Sequence, residues 1–188
     1  MTGAPPVVRE TTLPGVLLVR SPLFRDERGS FSELFNAREV AAAGLPLDAL
    51  QVNHSRSTRS VLRGLHFQNR TPQGKPVRAV RGEIFDVAVD VRRGSPAFGQ
   101  WTAVTLRENS GEALWIPPGF AHGFCAVSDE VDVVYICTGP YDSKDEQGVL
   151  WRDPAIGIEW PLAEPVLSAR DRNLPLLSEI QNLPAFPA

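Results

Sequence analysis

The chain has 188 residues, a length that suits one domain able to bury its own core without a disulfide or metal staple. Its 19 basic and 22 acidic side chains leave a net charge of -3, which argues against the broad basic surface of a polymeric nucleic-acid binder but not against a single nucleotide held by a few arginines. Hydrophobic residues make up 43%, and the two cysteines, Cys125 and Cys137, are too few for a disulfide framework and read as buried, reduced thiols.

The predicted elements are mostly short strands. Val16–Arg20 reads as the first, and Ala37–Ala43 as a short helix. Leu62–Gln68 is a strand-like run, followed by strands at Val77–Val80, Ile84–Val91, Trp101–Leu106, Ala113–Ile116, Phe124–Val127 and Val131–Thr138. In Ile84–Val91 the period is two: Phe85, Val87, Val89 and Val91 face one way, and Ile84, Asp86, Ala88 and Asp90 face the other. If the valines face apolar core, Asp86 faces a barrel interior or a site. Turn residues separate the strands at Arg93–Pro96, Glu108–Gly111 and Pro117–Gly119. A second short helix is expected near Ser143–Leu150, then a loop over Asp153–Trp160 and a wrap-around tail over Pro165–Pro187. The 17 prolines beside 15 glycines speak against an all-helical fold. The expectation is one all-β domain over residues 1–188, a sandwich or barrel. No apolar run is long enough to cross a bilayer as a helix, and Met1–Arg9 lacks a secretion-signal pattern, so the expected compartment is the cytoplasm.

Few residues carry obvious chemistry. His54, His66 and His122 are the only histidines, with no His-x-His or Cys-x-x-Cys spacing, so the pattern leans against a metal site. Taken singly, each candidate has an ordinary reading. His66 and Tyr135 sit in strand patterns as core residues do, and His122 follows a turn. Arg28, Arg63, Lys75 and Arg170 suit a solvated surface, and Asp171 could cap a turn.

Taken jointly, they form an ordered series. Asp26-Glu-Arg-Gly29, Asn53-His-Ser-Arg-Ser57, Val61-Leu-Arg-Gly-Leu-His66, Gln73-Gly-Lys75, Val80–Asp90 and Trp115–Phe124 occur in that order. Tyr135 and Tyr141, Asp153–Pro161 and Leu167-Ser-Ala-Arg-Asp171 follow. From about residue 10 to residue 178 the chain resembles the dTDP-4-dehydrorhamnose 3,5-epimerases, metal-free cupin enzymes that invert C3 and C5 of a dTDP-4-keto-6-deoxy sugar.

The resemblance implies a cupin-type double-stranded β-helix, a jelly-roll barrel with its site in the mouth, working without cofactor or metal. It implies His66 as the base, Asp171 as the carboxylate that orients and charges it, and Lys75 as the positive charge at the developing enolate. Tyr135 would be the acid on the opposite face. Asp86 and His122 match polar pocket positions. Arg28, Glu33, Gln51, Asn53, Arg63, Glu146 and Arg170 match positions that grip nucleotide and diphosphate, and Tyr141 an aromatic partner for substrate. Arg170 stands where lysine is frequent, and Pro76 biases Lys75 toward extended backbone. The resemblance also implies a homodimer in which Arg28 and Glu33 complete the neighbour's site. Two other functions share these motifs: a mono-epimerase acting at C3 or C5 alone, and a cupin that binds a nucleotide sugar without turning it over. One geometric expectation comes from spacing alone. Regular alternation would put Arg63 and His66 on opposite faces, so both can serve one site only if the backbone bends, and Gly64 is the place for it.

Overall fold

The computed structural model describes residues 6–42, 44–45 and 49–187. Strands β1 (Val7–Glu10), β2 (Leu17–Arg20), β5 (Gln51–Thr58), β7 (Lys75–Arg81), β10 (Glu112–Ile116) and β12 (Glu130–Cys137) form a six-stranded sheet in the order β1-β2-β10-β7-β12-β5. Strands β6 (Leu62–Gln68), β8 (Glu83–Asp90), β9 (Trp101–Arg107), β11 (Phe120–Ala126) and β13 (Glu146–Gly148) form a five-stranded sheet in the order β13-β6-β11-β8-β9. A small hairpin, β3 (Phe24–Asp26) with β4 (Gly29–Phe31), stands apart from both. Neighbouring strands in both sheets pair antiparallel, which gives the packed jelly roll the motifs imply.

Alternation in β8 sorts its residues as predicted. Ile84 and Ala88 join Val77, Leu114, Phe124 and Val133 in the core between the sheets. Val87 and Val89 face the other way and pack with Val149, Ile156 and Leu177, so the tail covers the outer face of the five-stranded sheet. Both faces of β8 are therefore dry. Short helix α1 (Ala37–Ala42) sits where expected, and Ala43, the last residue of the predicted span, lies outside the described residues. Near α1, Val40 and Leu45 cover Val19 and Trp115 on the outer face of the six-stranded sheet.

The helix expected near Ser143–Leu150 is absent. Asp142–Asp145 makes a turn, and Glu146–Gly148 becomes β13, paired with Gln68, Phe67 and His66. Asp145, 3% exposed, accepts from the backbone N–H groups of Arg70 and Thr71, which ties the turn to the end of β6 and delivers the chain as an added edge strand. The tail is mostly irregular, as read. It contains two short turns of helix, α2 (Ala169–Arg172) and a 3-10 turn at Leu177–Glu179.

Candidate active site

A cavity of about 500 Å³ opens between the two sheets. The five-stranded sheet contributes Arg63 and His66 from β6, His122 and Phe124 from β11, and Glu146 from β13. The six-stranded sheet contributes Gln51, Asn53 and Ser55 from β5, Lys75 from β7, and Tyr135 and Cys137 from β12. Tyr141 closes one side, and Ser168, Arg170 and Asp171 arrive from the tail.

The bend at Gly64 is present. Gly64 has φ +117, and the β6–β11 register shifts between the His66–His122 and Arg63–Phe124 pairs. A Cβ at Gly64 would stand 2.6 Å from Gly123 Cα and 2.6 Å from the His122 carbonyl oxygen, so only glycine fits this close approach. The irregularity turns both Arg63 and His66 into the cavity.

His66 Nε2 lies 2.7 Å from Asp171 Oδ1, and its other nitrogen, Nδ1, lies 4.0 Å from Glu146 Oε1. Asp171 is buried on α2, a helix capped by Ser168, whose Oγ accepts from the Asp171 backbone N–H at 3.0 Å. Burial works to raise the Asp171 pKa, but hydrogen bonds from His66, Ser168 and the Gly64 backbone outweigh it and hold the carboxyl below its ordinary value. An ionised Asp171 fixes the imidazole, with Nε2–H donating to it and Nδ1 left as the basic nitrogen.

Lys75 opens β7 opposite Ile116, so the extended backbone that Pro76 favours is the one the strand needs. Burial depresses the Lys75 ammonium below the ordinary lysine range, opposed by Cys137, Asp86 and Glu146. Asp86 is fully buried, and its Oδ1 accepts from His122 Nε2 at 2.7 Å. Burial lowers the His122 pKa against that carboxylate, and Lys75 and His66 push it the same way, so the ring is neutral near pH 7. Asp86 Oδ2 is buried without a hydrogen-bond partner among the described residues. Asp86 thus stands behind His122 and does not itself line the cavity.

Tyr135 sits on β12 between Asn53 of β5 and Val77 of β7. Burial raises its phenol above the ordinary value, which keeps the proton on at neutral pH. At the wider end, Gln51 donates to Asn53 Oδ1 at 2.7 Å, and Arg63 is braced by Ser57 Oγ at 3.0 Å. Arg170 pairs with Glu146, which also accepts from the Tyr141 hydroxyl at 3.1 Å.

Two of the predicted site residues lie elsewhere. Arg28 is fully out in solvent in the β3–β4 hairpin, paired with Asp26, and Glu33 accepts from Asn36 on the far side of the six-stranded sheet. Neither reaches this protomer's cavity. Conversely, Ser55, Gln73, Phe124, Cys137 and Ser168 line it without having been singled out. Ser55 and Cys137 were reachable by alternation, each being two residues from an inward neighbour, Asn53 and Tyr135. Among the described residues, no three His, Cys, Asp or Glu side chains gather as a metal-ligand set.

Fold and cavity together define a cupin-type jelly-roll enzyme. Over residues 10–179 the sequence matches the family described as dTDP-4-dehydrorhamnose 3,5-epimerase, and the chain belongs to that family. The dTDP-4-dehydrorhamnose 3,5-epimerase of Shigella flexneri is 49% identical over 168 residues, covering 88% of this chain and 93% of that protein. A crystal structure of the dTDP-6-deoxy-D-glucose-3,5-epimerase of Legionella pneumophila in complex with dTDP-4-keto-L-rhamnose superposes with a TM-score of 0.93. It is 42% identical and covers 97% of this chain and 100% of that one. The dTDP-4-dehydrorhamnose 3-epimerase of Streptomyces niveus is 40% identical over 182 residues, covering 96% of this chain and 88% of that protein.

Proposed function

We infer that the protein converts dTDP-4-dehydro-6-deoxy-D-glucose to dTDP-4-dehydro-L-rhamnose by inverting C3 and C5. The observation that carries this reading is the facing of His66, on one sheet, by Tyr135, on the other, across a cavity that also holds Lys75. Both carbons are alpha to the C4 ketone, so each proton can leave as an enolate forms.

His66 takes the proton through Nδ1, and the resulting imidazolium is stabilised by Asp171. Lys75 holds the negative charge that grows on the C4 oxygen, with neutral His122 beside it, oriented by Asp86. Tyr135 then gives its proton to the opposite face of the carbon, and solvent exchange returns a proton to the phenolate and removes one from His66. Inversion needs separate donors, since a proton handed back by His66 restores the starting centre. Arg63 and Arg170 suit the diphosphate because a guanidinium meets phosphate oxygens in pairs. Gln51, Asn53, Tyr141 and Glu146 complete the grip. Charge stabilisation by Lys75 leaves the scheme with no step that calls for a metal or organic cofactor.

The working unit in this reading is a homodimer, with Arg28 and Glu33 of one protomer completing the cavity of the other. Support comes from the hairpin that carries Arg28: its Phe24 and Phe31 rings are 41% and 61% exposed, an apolar surface without cover in a single chain. The expected compartment is the cytoplasm, in keeping with the buried, unpaired thiols of Cys125 and Cys137.

The test is turnover of the keto sugar in heavy water followed by NMR. Deuterium at both C3 and C5 supports the reading. Label at one carbon would make the protein a mono-epimerase, and label at neither would leave a binding module.

A further inference from the structure

Beneath the deep end of the cavity lies a contact that the reaction scheme does not use. Gly119 and Phe120 line a recess of about 30 Å³ together with His66 and Lys75, room for no more than a water or two. Phe120 is 2% exposed, and the guanidinium carbon of Arg92 sits 4.2 Å from the centre of its ring, on the side away from the recess. The same carbon lies 4.8 Å from the ring of Phe186, so the guanidinium is stacked between the two phenyl groups.

Both partners of this stack are held. Arg92 donates through Nε and Nη2 to fully buried Asp90, at 2.9 and 2.6 Å, and Ser95 donates to the same carboxylate at 2.6 Å. Phe186 is held by the backbone: Arg93 N–H donates to the Pro184 carbonyl at 2.7 Å, and Phe186 N–H donates to the Arg93 carbonyl at 3.0 Å. Gly119 leaves room for the arginine, since a Cβ there would stand 2.8 Å from Arg92 Cγ. The carboxylate fixes the edge of the guanidinium, which leaves its two flat faces for the rings.

We propose that Arg92 is a positioning residue for the epimerisation, transmitting the docking of the C-terminal segment 184–187 to Phe120 at the floor of the sugar pocket. The proposal rests on the function inferred above. Phe120 lies two residues before His122 on β11, and its ring abuts the recess that His66 and Lys75 share. Play in that wall lets the sugar ring settle away from the geometry in which base, enolate charge and acid all reach it, and small misplacements carry large rate penalties. The nucleotide end, gripped at the opposite mouth, is untouched. The signature is a loss in kcat without a loss in nucleotide affinity.

Phe186→Ala tests this, because the ring is 38% exposed near the chain end and its removal leaves the sheets intact. The expected result is kcat about fivefold lower, dTDP affinity within about twofold, and faster hydrogen exchange at the Phe120 and His122 amides. Phe186→Trp restores all three towards wild type. Arg92→Lys keeps the charge against Asp90 but gives up the flat stacked plane, and should match Phe186→Ala. Wild-type kcat in either alanine or lysine variant overturns the proposal, as does unchanged exchange at those amides, or equal losses of kcat and dTDP affinity. Should the wild-type protein fail to turn over the keto sugar, the functional reading falls, while the exchange measurement still decides whether the tail braces Phe120.

Discussion

His66 and Asp171 are 105 residues apart in the chain and 2.7 Å apart in the fold, joined because α2 of the tail lies against the inward face of β6. Removing the ring and removing the charge should therefore have different effects. His66→Ala should abolish turnover with dTDP affinity within a few-fold, because the arginines that suit the diphosphate are elsewhere. Asp171→Asn should lower kcat by roughly 10²-fold, at the lower end of what a general base contributes. Steady-state kinetics beside dTDP titration separate the two, and a comparable loss of nucleotide binding in both variants would point to a structural role. Stability gives a second reading. The folded pKa of Asp171 lies below the unfolded one, so its contribution is present above the unfolded pKa and is lost as pH falls through the folded value. Acid unfolding of Asp171→Asn should lack that part of the slope.

Tyr135→Phe removes the acid without touching the base. Completed inversion should stop, while His66 continues to exchange substrate protons slowly with retention. Mass spectrometry would then find deuterium in recovered, uninverted keto sugar. Inverted product at the wild-type rate would move the acid role to another group.

Lys75 links activity and stability with opposite signs. Its folded pKa is lowered by burial, so the native state binds fewer protons than the unfolded state between the two pKa values, and stability rises with pH across that window. Activity runs the other way, falling as the ammonium loses its proton below the ordinary lysine range. Lys75→Met should cost most of kcat yet raise the melting temperature, by roughly 2–4 °C if about 1 kcal/mol of charge burial is relieved. A variant both inactive and less stable would show the ammonium to be a structural anchor.

Gly64→Ala should be among the most damaging single changes outside the reacting groups. Its methyl would meet the backbone of β11 at 2.6 Å, in a strand conformation with φ +117. A loss on the order of 3 kcal/mol or more is expected in denaturant titration. Near-neutral behaviour would mean that β6 and β11 can part by an ångström without harm to the site.

The shared-site dimer is open to a mixing experiment. Arg28→Ala and His66→Ala homodimers should each be impaired, the first in KM and the second in kcat. Mixed and re-equilibrated, they should regain activity, because one cavity of each hybrid dimer has an intact His66 from one chain and an intact Arg28 from the other. Activity equal to the sum of the separate variants would place Arg28 outside the site.

Where the sequence was readable, it was because burial is sided. The apolar strands β8, β10 and β12 show their alternation, and the Arg63–His66 spacing demands a bend that Gly64 supplies. Strand β5 was missed because its inward residues, Gln51, Asn53, Ser55 and Ser57, are polar: they line a wet cavity, and period two in polar residues carries no hydrophobic signal. Strand β13 was read as helix because Lys144–Leu150 has no turn residue before Gly148, and its pairing with β6 is a tertiary fact. The His66–Asp171 contact had no local signature at all and came into view only through the ordered motifs. The Arg92 stack was invisible for the same reason, since Phe120 and Phe186 meet on it from distant parts of the chain.

The tail has a consequence for how the site comes into being. Everything that shapes the cavity up to Glu146 can be laid down as two sheets while the rest of the chain is still being made, but the carboxylate that tunes His66 and the aromatic brace beneath Phe120 both belong to the last stretch synthesised. A chain still tethered at its C-terminus, or nicked within residues 165–187, keeps its barrel and its nucleotide-gripping β5 face yet lacks Asp171 on His66. Proton abstraction is then the final competence the molecule acquires during its birth, and the first it forfeits to a protease.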